Sequence, residues 1–201
     1  MADDSTPNKR LIALEGYSAR GLDEASRLLK SHFCRKVGGG ISVWDSSSIF
    51  YEMGLGEGQD KKPSPRTLVL LYAADLSFRL QWQIRPALKE GQCVIAAPYM
   101  ESIMAFGRAA ELPLKWLQSL FRFAPQPAIT YRIREPKEPL KKTKLMDGFA
   151  EFCSGMLRAD SYPGDYKELR GKYIAYLDER ESSGVCRTIP SRLPAPFLPG
   201  K

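Results

Sequence analysis

The run Leu11-Ile12-Ala13-Leu14 closes on Glu15-Gly16, and after four intervening residues Gly21 stands at the head of a stretch with helical spacing. A short apolar strand, a glycine-framed turn and an amphipathic helix, in that order, form a βα unit. No other segment commits the chain so firmly to an α/β architecture. The Gly-x-x-x-x-Gly frame is also that of a loop that cradles phosphate with backbone N–H groups. A lysine ammonium and a hydroxyl in the next two positions complete that task. Those positions hold Leu22 and Asp23. Leucine supplies no charge, and an aspartate repels phosphate unless a metal or Arg20 intervenes. The frame, Gly16-Tyr17-Ser18-Ala19-Arg20-Gly21-Leu22-Asp23, is that of a phosphate loop whose contents argue against phosphoryl transfer.

The alternation continues along the chain. Leu22, Ala25, Leu28, Leu29 and Phe33 share one helical face over 22–33, and 34–44 supplies a second strand around Gly38-Gly39-Gly40. A helix-like stretch at 45–53 runs into the Pro- and Gly-rich loop 56–66. Leu68, Leu71, Tyr72, Leu76, Leu80, Ile84 and Leu88 predict a long helix over 66–90, kinked at Pro86 and stopped by Gly91. The run Cys93-Val-Ile-Ala-Ala97 suits a parallel strand buried on both faces. Further helices are expected at 99–108, 111–122, 143–157 and 164–181, and strands at 128–133 and 184–189. The pattern predicts one three-layer α/β/α domain over 10–189 with a mostly parallel five-stranded sheet. A flexible N-terminus (1–9) precedes it and a Pro-rich tail (190–201) follows.

A net charge of +7, from 30 Lys+Arg against 23 Asp+Glu, is read as a mixed solvated surface and not as a nucleic-acid face. Cys34, Cys93, Cys153 and Cys186 fit no zinc or close-spaced redox pattern, so they read as reduced, mostly buried thiols. His32, the single histidine, has Cys34 nearby but no orienting third group, and is read as structural. The amino terminus lacks the basic and apolar regions of a signal peptide, and no apolar run is long enough to span a bilayer. A cytoplasmic protein without a membrane partner and without a bound metal is the expectation.

Three later blocks, taken with the first βα unit, carry a resemblance. They are Leu70-Leu71-Tyr72-Ala73-Ala74-Asp75-Leu76 with Ile84-Arg85-Pro86-Ala87-Leu88 and Gly91; Val94 to Tyr99 with Ser102, Ala105 and Phe106; and Arg122-Phe123-Ala124 with Pro127 and the strand to Ile133. In order and spacing, over roughly 10–180, they resemble the thymidylate kinase family of P-loop nucleotide kinases, which implies a P-loop NTPase-like fold. The resemblance implies an acceptor-nucleotide pocket at Arg35, Tyr72, Leu76, Tyr99, Ser102 and Phe106, with Tyr72 in place of a base-stacking phenylalanine. It implies a lid at Lys141, Lys142 and Lys144, where the family carries arginine. It also implies a homodimer formed through helices beside the sheet, consistent with Phe78 and Trp82 lying off the main stripe of 66–90.

The departures fall on charged positions. Besides Leu22 and Asp23, Leu76 stands where the family's arginine grips the monophosphate, and Ala97-Pro98 where an Asp-Arg pair serves the transferring phosphate and its metal. Phosphoryl transfer rests on positioning and positive charge, so the combined loss implies a pseudoenzyme that retains the scaffold for binding or assembly. Two alternatives stay open. One is an atypical thymidylate kinase that uses ATP and Mg with Arg20 and the lid lysines; the other is a module that binds a nucleotide or a polyanion.

Overall fold

In the computed structural model, which describes residues 8–16, 19–34, 40–44, 64–133 and 166–189, Leu11 to Leu14 form the centre of β1 (Asn8–Glu15) and are fully buried. A strand apolar on both sides needs cover on both. Helices packed on each face provide it, and the sheet order β2-β3-β1-β4-β5 sets β1 in the middle with a paired strand at each edge. β3 (Cys93–Ala97) pairs parallel to β1 with Leu11 opposite Val94, and β4 (Pro127–Arg132) pairs on the other side with Ile12 opposite Ile129. β2 (Gly40–Trp44) and the short β5 (Arg187–Thr188) extend the sheet, also in parallel. This is the parallel five-stranded sheet of a P-loop NTPase-like α/β fold.

Alternation along β1 and β3 divides the core into two layers. Ile12, Leu14, Ile95 and Ala97 pack with Leu22, Ala25 and Leu29 of α1 (Ala19–Leu29), which continues as a π-helical turn, Lys30–Cys34. Leu11, Ala13, Val94 and Ala96 face a larger cluster built on α2 (Pro65–Arg79), α4 (Glu101–Ala109) and α6 (Tyr166–Ser182). α4 and α6 run antiparallel, pinned by Arg180 to Glu101 and by Lys172 to Glu111, each at 2.8 Å. A short α5 (Leu114–Leu120) follows α4.

The long helix predicted over 66–90 is divided. It starts at Pro65, inside the segment expected as a loop, because Ser64 Oγ accepts the Thr67 N–H at 3.1 Å and proline suits the first helical position. After Arg79 comes a π-helical turn, Leu80–Ile84, and then α3 (Arg85–Lys89). Pro86 has no N–H to continue the regular ladder, so the expected kink takes the form of this widened turn. Gly91, at φ 79°, adopts the left-handed conformation that ends the helix, and Gln92 donates to the Ala87 carbonyl at 2.9 Å.

Cys34 and Cys93, expected as separate reduced thiols, are instead joined as a disulfide with their Cα atoms 5.1 Å apart. The π-turn after α1 brings Cys34 beside the first residue of β3, a juxtaposition hidden by their separation of 59 residues. Cys186 is free and buried. No helix among the described residues is long and apolar enough to cross a membrane. The helices expected at 45–53 and 143–157, most of the two termini, Cys153 and the lid segment lie outside the described residues.

Candidate functional site

The glycine frame begins where β1 ends. Gly16 is buried and has φ 151°, a conformation that glycine adopts without a Cβ penalty. α1 then begins at Ala19, so Gly21 lies inside the first turn and does not precede it, as the spacing predicts. Tyr17, Ser18 and the side chains of Ala19 and Arg20 lie outside the described residues. The early helix start sets the directions of the next two side chains. Leu22 turns toward the sheet, is 0% exposed, and joins the cluster of Ile12, Leu14 and Ile95. Asp23 turns outward and forms an i, i+4 ion pair with Arg27, whose Nε donates to it at 3.3 Å.

Of the residues expected to line an acceptor pocket, Tyr72, Leu76, Tyr99 and Phe106 are all 0% exposed, and Ser102 is 1% exposed. The structure brings them together as closely packed core. The Tyr72 hydroxyl donates to the Pro98 carbonyl at 2.9 Å and contacts the Tyr99 carbonyl, while Tyr99 Oη donates to the Pro125 carbonyl at 2.8 Å. Arg35 and lysines 141, 142 and 144 lie outside the described residues.

Two features of this region escape sequence reasoning. Asp75 and Arg79, one helical turn apart on α2, form a buried ion pair at 2.7 Å. The Arg79 guanidinium also donates to the Pro98 carbonyl at 3.1 Å and lies 5.2 Å from the Tyr72 ring centre. An acid and a base four residues apart within an apolar helix were the available signal. The second feature is Glu15, fully buried at the end of β1. Its carboxylate accepts from the N–H groups of Glu101 at 3.0 Å and Ser102 at 2.9 Å, and from Tyr99 at 3.3 Å. It thereby caps α4, whose own Met100 supplies no side-chain cap.

Burial, helped by the charge of Glu101, pushes the Glu15 carboxyl from an ordinary 4.5 up to about 7, against the opposing pull of its hydrogen bonds. Between these values the folded chain holds a proton that the unfolded chain has released. Stability therefore falls as pH rises from about 4.5 to 7 and levels off above. At about 1.4 kcal/mol per pH unit, this group's share is about 3 kcal/mol. Urea midpoints at the two ends of that window should show the loss in the wild type and lack it in Glu15→Gln.

Known proteins share part of this sequence and its fold. The family model for thymidylate kinase matches residues 54–153. A probable thymidylate kinase of Pyrococcus abyssi is 37% identical over 112 residues, covering 55% of this chain and 48% of that relative. The chain belongs to the thymidylate kinase family. Another member, a probable thymidylate kinase of Pyrobaculum calidifontis, is 28% identical over 147 residues, covering 70% of this chain and 72% of the relative. The crystal structure of thymidylate kinase from Ehrlichia chaffeensis has the same fold, with a TM-score of 0.58, 15% identity, and coverage of 92% of this chain and 90% of that one. The chain spans about half the length of the Pyrococcus relatives it matches. Within the family alignment, the blocks around Tyr72, Tyr99 and Arg122 lie inside the matched segment, whereas the glycine loop precedes it.

Proposed function

We propose that this thymidylate-kinase-like chain keeps the family scaffold for nucleotide binding or assembly and has lost phosphoryl transfer. The observation that carries the reading is Leu22: where a phosphate-contacting ammonium is needed, the side chain is a leucine with 0% exposure inside an apolar cluster. Magnesium ATP held in the usual way calls for that lysine and for a hydroxyl on the metal. Leu22 and the Arg27-paired Asp23 do not fit it. At the acceptor side, Leu76 and Pro98 bring no guanidinium, and the aromatic side chains are closed into the core. Removing one preorganised electrostatic donor costs about 3 kcal/mol, a hundredfold or more in rate, and several losses compound.

Incubated with MgATP and thymidylate, the chain is expected to release no ADP above the uncatalysed background. Turnover that Arg20→Ala abolishes would overturn the proposal in favour of an enzyme that recruits Arg20.

The proposed assembly is a homodimer. Leu70, Ala74, Phe78 and Trp82 recur at four-residue steps on the outer side of α2 and its π-turn, and Phe78 and Trp82 are 55% and 63% exposed. Such a stripe, with its two rings in contact at 6.4 Å, is apolar surface suited to a second copy. Light scattering at micromolar concentration should give twice the mass of one chain, reduced to one in Phe78→Asp/Trp82→Asp. A single-chain mass for the wild type would count against the dimer.

A further inference from the structure

Ser102 stands between the first residue of the glycine loop and a buried acid. Its Oγ lies 2.7 Å from Glu15 Oε2, accepts the Gly16 N–H at 2.9 Å, and is 3.3 Å from the Gly16 carbonyl oxygen. A serine hydroxyl has one proton to donate and two lone pairs with which to accept. When Glu15 is ionised, the hydroxyl proton points at the carboxylate and the Gly16 carbonyl receives nothing from Ser102. When a solvent proton is added to Oε2, the acid O–H donates to Oγ and the hydroxyl turns to the Gly16 carbonyl. The Gly16 N–H stays where it was. The proton and both lone pairs of Ser102 are then all used.

We propose that Glu15 and Ser102 are positioning residues for the glycine loop. The Ser102 hydroxyl transmits the charge state of Glu15 to the Gly16 peptide, which is fastened by both N–H and C=O when the acid is protonated and by N–H alone when it is ionised. The inference goes beyond the proposed function and holds whether or not the chain turns over a nucleotide.

The surroundings single out Glu15 as the group that changes charge near neutrality. On α4, the Glu101 carboxylate is bound at both oxygens by Arg180 of α6, each at 2.8 Å, with the Tyr176 hydroxyl at 3.5 Å. On β4, Arg132 stands opposite Glu15 in the register, and its guanidinium is taken by Asp178 and Glu181 of α6. Beyond α6, burial and the nearby Glu15 charge push the Cys186 thiol up, so it stays neutral. Burial and Glu101 together bring the Glu15 carboxyl to about 7. Its change of charge therefore falls where the rotation of one hydroxyl can register it.

The test is an NMR titration of the full, unliganded chain from about pH 5.5 to 8.5, following the Gly16 amide and the Glu15 side-chain carboxyl carbon. Both signals should move together, with a midpoint of about 7. In Glu15→Gln no group at this position titrates, so the Gly16 signal should hold one position across the range. In Ser102→Ala the carboxyl should still titrate while most of the Gly16 response is lost. A wild-type Gly16 signal that stays still while the carboxyl titrates would overturn the proposal, as would a carboxyl that does not titrate in this range. A Gly16 response unchanged in Glu15→Gln would do the same. No nucleotide or turnover enters the measurement, so its failure is separate from any failure of the pseudoenzyme reading.

Discussion

Replacing Arg79 by methionine is expected to lower the free energy of unfolding by about 3–5 kcal/mol, the range for breaking a buried ion pair from one side. Asp75 and Arg79 are 0% and 1% exposed, so the carboxylate left behind would be a charge without solvent. Methionine keeps most of the volume, which makes the loss electrostatic in origin. The Pro98 carbonyl also loses the guanidinium that reaches it at 3.1 Å. A second substitution separates the pair from its surroundings. Asp75→Leu added to Arg79→Met removes the buried carboxylate as well, and much of the stability should return, since apolar replacement of a whole buried pair is often neutral or better. Urea denaturation of the three variants measures this. A single-mutant loss below about 1 kcal/mol would mean that the pair behaves as a solvated surface bridge.

Leu22→Lys, which places a lysine at the position a phosphate loop uses, is expected to destabilise the chain by about 4 kcal/mol or more without conferring catalysis. Two costs combine. The leucine's burial in the cluster with Ile12, Leu14 and Ile95 is lost, and an ammonium must be drawn from that cluster or buried within it. The position faces inward because α1 starts at Ala19, ahead of the second glycine, and one side chain does not reset a helix start. A variant that folds as well as the wild type and binds ATP more tightly would show that the loop retains the working conformation and has merely lost its charge.

The fold was legible where the sequence pattern repeats a physical constraint. Leu11 to Leu14 and the run from Cys93 to Ala97 are apolar at every position, as central parallel strands require, and both strands lie in the middle of the sheet. Helix starts were less legible. The segment before Thr67 reads as a loop by composition, yet Ser64 and Pro65 together make a helix N-terminus. The disulfide was hidden because sequence separation does not say that the end of the turn after α1 meets the start of β3.

The candidate site was legible in part for a similar reason. Leu22 and Asp23 stand out in the sequence as departures from a phosphate-loop pattern, but their opposite orientations depend on where α1 begins. Tyr72 reads equally as a stacking platform or as core until its hydroxyl is seen bonded to the Pro98 carbonyl. In the sequence Glu15 reads only as the residue before a glycine. Its significance comes from α4, more than eighty residues later in the chain, whose N-terminal N–H groups converge on it.

Persistence of the scaffold without phosphoryl transfer is tested most directly by a single-turnover experiment. With protein in excess over γ-labelled ATP, and thymidylate and magnesium present, even a slow enzyme would move its label in one pass. Label is expected to stay on ATP over hours. Labelled thymidine diphosphate formed within that time would contradict the loss of phosphoryl transfer.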